Sequence, residues 1–173
     1  MDGTKGFLRG GHYAAALALI EDGVVTVGAL ACPEMGPACG PESRGGGMIF
    51  IAARGQGTWG MPLNGEDAPL RRLTVSDESA PAKARVLRSV EAGHTDTERI
   101  DAIAARLGIS VAPVGMDSQA KYGVLAAGGG ELIFRLLSPK APDYKEKIWD
   151  QAAGSIVLEE AGGKITDLSG KPL

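Results

Sequence analysis

The sequence lacks several features, and each absence excludes a class of function. It has no basic excess: 18 Lys and Arg stand against 21 Asp and Glu, for a net charge of −3. A nucleic-acid polymer needs a basic footprint, so that partner is set aside, while a small anionic ligand held by locally placed charges stays open. No apolar run approaches the ~20 residues of a membrane span. The first residues lack the basic and apolar regions of a signal peptide. A cytoplasmic protein is therefore the expectation, with an organellar address in a longer precursor left open. The two cysteines, Cys32 and Cys39, have no second pair with which to build a structural zinc site. A disulfide between them stays open, and a reduced intracellular chain is the simpler reading. With two histidines, a Ser-His-Asp or Cys-His nucleophilic set has little material.

Hydrophobic and charged contents of 44% and 23% are ordinary for a globular protein. The 173 residues can bury one sizeable core, or one domain and part of another. The 26 glycines are abundant, many in turn-like pairs. His12 to Ile20, a Glu21-Asp22-Gly23 turn and Val24 to Leu30 predict an antiparallel hairpin. Met48 to Ala53 and Thr58-Trp59 predict a second, with Pro33 to Gly47 as a surface loop between them. Residues 64–83 are polar and read as a linker or crossover.

Beyond the linker the pattern alternates strand and helix. Arg85 to Val90 predicts a strand. Thr95 as N-cap with Glu98 three residues on predicts a capped helix through Leu107, ended by Gly108. Ile109 to Val114, Tyr122 to Ala127, Leu132 to Leu136 and Lys164 to Thr166 predict strands, and Ile148 to Ala161 a last helix stopped by Gly162-Gly163. The expected fold is α/β, with a partial antiparallel β portion at 1–75 and an α/β portion at 76–173.

Four segments carry chemistry. Asp2-Gly3-Thr4 sets a carboxylate, a glycine that allows close backbone approach and a hydroxyl within one turn, a set that suits a hard cation such as Mg2+ and its waters. The same tripeptide is also an ordinary turn with a helix cap. Asp150 follows Trp149 and precedes Ala152-Ala153-Gly154. An acid there commonly answers the helix dipole, but small neighbours leave the helix start open to an anion. Ser118, Lys121 and Arg135 can satisfy a phosphate through a hydroxyl and charge-assisted bonds, or be solvated turn residues. His94 lies in a loop between strand and helix, where a ligand contact and a solvent-facing side chain are both open.

Taken in order, Asp-Gly-Thr-Lys-Gly-Phe-Leu-Arg-Gly, Ser-Val-Glu-x-Gly-His, Asp-Ser-Gln-Ala-Lys-Tyr, Glu-Lys-Ile-Trp-Asp-x-Ala-Ala-Gly and Glu-Ala-Gly-Gly resemble the 3'(2'),5'-bisphosphate nucleotidases of the inositol monophosphatase superfamily. The resemblance runs over essentially the whole chain. It implies a portion of a layered α/β/α/β/α sugar-phosphatase fold and a Mg2+-dependent hydrolase. The implied reaction cleaves 3'-phosphoadenosine 5'-phosphate to AMP and phosphate. It further implies Asp2 and Asp150 as metal ligands, and Thr4, with Asp2, as the catalytic pair beside the attacking water and scissile phosphate. His94 is then the adenosine contact, and Ser118, Lys121 and Arg135 hold the other phosphate.

The family motif reads Asp-Pro-Ile-Asp-Gly-Thr, and Met1 stands here at the Ile position. The resemblance thus implies a C-terminal portion, without the first Asp, the upstream metal-binding Glu and the closing strand and helix. Met1 is left to offer a backbone carbonyl. Impaired catalysis and one uncovered sheet face are the expectations. Two alternatives accompany them: an inactive fragment with weak nucleotide binding, and an inositol monophosphatase-type enzyme.

Overall fold

The computed structural model of the chain describes residues 1–65, 68–90, 95–139, 141 and 143–173. Among them, β1 (Ala15–Glu21), β2 (Val24–Cys32), β3 (Met48–Ala53), β4 (Gly57–Pro62) and β5 (Arg71–Leu73) form an antiparallel sheet in that order. A parallel sheet sets β6 (Val86–Arg88) between β7 (Val114–Gly115) and β8 (Leu132–Ile133). The helices are α1 (Thr4–Leu8), α2 (Thr97–Arg106), α3 (Ala120–Ala126) and α4 (Ala152–Glu160). The α/β class, with an antiparallel sheet followed by an α/β portion, is the one the sequence predicts.

The first hairpin forms as expected. Asp22 and Gly23 take φ of 50° and 80°, the left-handed pair that a two-residue hairpin turn requires. Cross-strand register aligns Ala16, Leu30, Phe50 and Gly60 in one row, and Ala18, Gly28, Ala52 and Thr58 in the next, all on one face. α4 lies over that face. A Cβ on Gly28 would stand 2.9 Å from the Ala153 carbonyl, so glycine is what lets helix and sheet meet. Thr58 Oγ1 donates to the Val157 carbonyl at 2.7 Å and stitches the two together. Leu30 and Phe50 are fully buried there, and each contributes roughly 1.5–3 kcal/mol relative to exposure. The opposite face carries Leu17, Leu19, Val27 and Ile51, all exposed, with Leu17 at 75%.

Several local expectations are corrected. Tyr122 to Ala126 belongs to a helix, α3, with Ala127 as its C-cap, and not to a strand. A short continuous apolar run fits both, and tertiary contact decides here: α3 is buried on every side, between α4 and the Phe50 ring. Gly128 (φ 74°) then ends α3, with Gly129 N–H donating back to the Val124 carbonyl, so the glycine cluster is a helix stop and not a hairpin turn. The cap of α2 is Asp96, whose Oδ1 accepts from Arg99 N–H at 3.0 Å. Thr95 Oγ1 donates instead to the Leu136 carbonyl.

The expected strands at 109–114 and 132–136 shrink to β7 and β8, and Thr166 makes only an isolated bridge with Pro172. The polar linker hides an edge strand, β5, where the Arg72 guanidinium sits over the Trp59 ring. The last helix starts at Ala152. Ile148–Asp150 is a 3-10 turn before it, and Gln151, at φ −130°, separates the two.

Candidate active site

The chain start is built by close approach. Asp2 forms a two-way backbone bridge with Ala14, N–H to carbonyl at 2.7 and 3.0 Å. Gly3 has φ 83°, and a Cβ there would lie 2.7 Å from Ser118 Cβ, which only glycine avoids. Gly6, one helical turn on, lies against Asp117 with no room for a side chain. The spacing Asp-Gly-Thr-Lys-Gly thus seats α1 directly on the loop that precedes α3. Arg9 closes the contact, its Nη2 2.5 Å from Asp117 Oδ2.

A cleft of about 250 Å3 opens at this junction. Asp2, Thr4, Asp150, Ser118, Lys121 and Arg135 all line it, although they come from both ends and the middle of the sequence. Asp2 Oδ2 accepts from the Gln119 N–H at 2.6 Å. Asp150 ends its 3-10 turn, with Oδ2 accepting from Lys147 N–H at 3.1 Å. Met1 is 70% exposed and does not line the cleft. His94 lies outside the described residues.

The other wall is cationic. Lys121 is 2% exposed, and its Nζ donates to the carbonyls of Met116 and Ser118 at 3.1 and 3.0 Å. Burial lowers its pKa to about 8, and the neighbouring Arg135 charge adds to that, against a smaller upward pull from Asp2 and Asp117. Ser118 sits in left-handed backbone (φ 65°), and its Oγ accepts from Ala120 N–H. Arg135 is ion-paired with Glu146. Glu146 in turn accepts from Gln151 Nε2, and Gln151 Oε1 accepts from the buried Tyr122 hydroxyl, so Arg135 is anchored through three side chains to α3.

These anchors were not singled out in the sequence. Gln119 and Tyr122 stand there as members of the Asp-Ser-Gln-Ala-Lys-Tyr motif with no role assigned, and Gln151 as an unspecified position between Asp150 and Ala152. The available signal was a polar side chain placed among small apolar ones, which demands a partner when buried. Ser89, the first residue of the Ser-Val-Glu-x-Gly-His segment, and Tyr144 also line the cleft, although the sequence assigned neither a role.

The donors at the Asp2 end are oxygen throughout, which fits a hard divalent cation in kind. In number they are few: among the described residues no three His, Cys, Asp or Glu side chains gather in one group. Asp117, the third acid on the cleft, is engaged by Arg9. Among the described residues, the cleft's other two acids, Asp2 and Asp150, each have one oxygen taken by a backbone N–H, and the Thr4 hydroxyl lies on the same cleft.

The inositol monophosphatase family model matches residues 1–173. A 3'(2'),5'-bisphosphate nucleotidase of Emericella nidulans is 42% identical over 185 residues, covering 100% of this chain and 52% of that protein. One from Oryza sativa is 43% identical over 179 residues, covering 100% and 49%. The chain thus spans about half the length of the curated relatives it matches. Among solved structures, SuhB of Mycobacterium tuberculosis superposes with a TM-score of 0.68 at 19% identity, over 98% of this chain and 60% of that one. An inositol monophosphatase from Zymomonas mobilis gives 0.69 at 21% identity, over 99% and 57%. At such identities the structural likeness speaks for the fold alone. With a family model matching from end to end and relatives above 40% identity, the chain belongs to the inositol monophosphatase family.

Proposed function

We propose that this chain carries much of the site of a Mg2+-dependent phosphatase that removes the 3'-phosphate of 3'-phosphoadenosine 5'-phosphate, giving AMP and phosphate. One observation carries the reading: a single cleft has oxygen donors at one end (Asp2, Thr4, Asp150) and a hydroxyl with two cationic side chains at the other (Ser118, Lys121, Arg135). A substrate with two separated phosphates matches two such ends. A singly phosphorylated inositol leaves the cationic end without an anion. The names of the relatives, bisphosphate nucleotidases from a fungus and a plant, support the same choice.

In this reading Asp2 and Asp150 hold the cation. When bound, a divalent ion supplies charge that neutralises phosphoryl oxygens and activates water. The Thr4 hydroxyl orients that water toward phosphorus, and the bond to the 3'-oxygen breaks as the new P–O bond forms. Lys121 and Arg135 carry the 5'-phosphate with Ser118 Oγ, and His94 contacts the adenosine. The protein contributes position and charge and needs no covalent nucleophile. The partner is a small nucleotide; among the described residues no helix is long and apolar enough to cross a membrane.

The test is phosphate release from 3'-phosphoadenosine 5'-phosphate and from inositol 1-phosphate, with Mg2+ and after chelation. Chelator-sensitive release that favours the nucleotide is expected of a chain with a complete cation shell. Faster release from the inositol ester would transfer the assignment to an inositol phosphatase. Among the described residues no three His, Cys, Asp or Glu side chains gather, which favours a second reading, nucleotide binding with little turnover.

A further inference from the structure

We infer that Gln119 is a positioning residue, a strut that fixes Asp2 relative to the Trp149–Asp150 turn. Gln119 is 2% exposed and engages three segments in three directions. Its backbone N–H donates to Asp2 Oδ2 at 2.6 Å. Its side-chain Nε2 donates to the Trp149 carbonyl at 2.9 Å, one residue before Asp150. Its Oε1 accepts from the Gly154 N–H at 3.0 Å, in the first turn of α4. The partners settle the orientation of the amide, because a flipped group would set donor against donor at Gly154 and acceptor against acceptor at Trp149.

The strut has consequences for both acids. Asp2 belongs to no sheet strand; beyond this bond its backbone is held by the bridge to Ala14. Asp150 ends a three-residue 3-10 turn whose successor, Gln151, leaves helical geometry. Neither carboxylate rests on an extended element, so their separation depends on what lies between them, and Gln119 is bonded to both sides. A buried amide with every arm engaged resists rearrangement, because freeing one arm leaves a buried polar group without a partner. The backbone of residue 119 anchors Asp2 and its side chain anchors the turn, so motion of one is passed to the other through a single residue. The functional consequence rests on the reading of Asp2 and Asp150 as cation ligands; the strut itself does not.

The experiment uses the whole chain with Gln119→Met, which keeps length and removes both polar arms. Amide hydrogen exchange reads the strut without any metal. Loss of the arms is expected to speed exchange at Gly154, and also at residue 119 and at Ala14, whose N–H donates to the Asp2 carbonyl. Mn2+ titration followed by electron paramagnetic resonance reads the consequence, with affinity expected to fall by roughly tenfold or more, as outer-shell losses do. A plain cap of α4 would raise exchange at Gly154 alone, and that outcome overturns the inference. Wild-type chain that takes up no Mn2+ would sink the cation reading, while the exchange pattern would still decide the strut. Should Gln119→Met fail to fold, Gln119→Asn, one methylene too short to reach both Trp149 and Gly154, is expected to give the same exchange pattern.

Discussion

Gly154 packs so closely on the Tyr122 ring that a Cβ at that position would lie 2.7 Å from the ring's Cγ. This contact sets how near α4 comes to α3, and with it the reach of the Tyr122 hydroxyl to Gln151. Gly154→Ala should therefore destabilise the chain by about 1–3 kcal/mol through overpacking, although alanine is the better helix former. Urea denaturation checks the value. An alanine variant as stable as wild type would mean that α3 and α4 can separate freely.

Lys121 makes a prediction at alkaline pH. Its pKa is held down to about 8 in the folded chain, against the 10.5 of an ordinary lysine. Between those limits the unfolded chain binds the extra proton, so this residue's contribution to stability rises with pH across about 8 to 10.5. Burial raises the pKa of Cys32 to about 12, and that thiol pulls the opposite way over an overlapping range. The informative quantity is the stability difference between wild type and Lys121→Met. It should shift in favour of wild type by about 1–3 kcal/mol on going from pH 8 to 10.5. A pH-independent difference would show that Lys121 is not held off its usual value.

His12 predicts acid sensitivity. Its Nε2 meets the Pro41 carbonyl at 3.3 Å, so the proton sits there, and the buried Nδ1 has no hydrogen-bond partner among the described residues. Burial, followed by the Arg44 charge, lowers its pKa to about 4 from 6.5. The unfolded state takes up the proton first, so stability present above pH 6.5 is lost as pH falls toward 4. The loss from this group is up to about 3 kcal/mol. His12→Gln should flatten that limb of the stability curve, and an unchanged acid limb would remove His12 as its cause.

Much of the fold could be read from the chain because its signals are local. The β1–β2 hairpin follows from an apolar run and a β-branched run on either side of Glu21-Asp22-Gly23, and the stop of α4 from Gly162-Gly163, where Gly163 N–H donates to the Leu158 carbonyl. Where the reading failed, the deciding contact was remote. Tyr122 to Ala126 has no period of its own, and as helix it packs where Gly123 admits the Phe50 ring from β3. β5 reads as polar linker because Arg71 and Arg72 lie on an edge strand whose pairing partner is β4. The site divides in the same way. Asp2, Thr4, Asp150, Ser118, Lys121 and Arg135 stand out by residue type and do line one cleft. Gln119 and Gln151 act through bonds that the sequence does not announce.

The most direct test of the account is calorimetric binding of adenosine 3',5'-bisphosphate, AMP and inositol 1-phosphate to the 173-residue chain in Mg2+ buffer. Two walls serving two phosphates predict that the bisphosphate binds at least about tenfold tighter than AMP, a difference of ~1.4 kcal/mol. Lys121→Ala, acting on the 5'-phosphate that both nucleotides share, should weaken both and leave most of that margin in place. Equal affinities for the bisphosphate and AMP, or a preference for inositol 1-phosphate, would contradict the assignment.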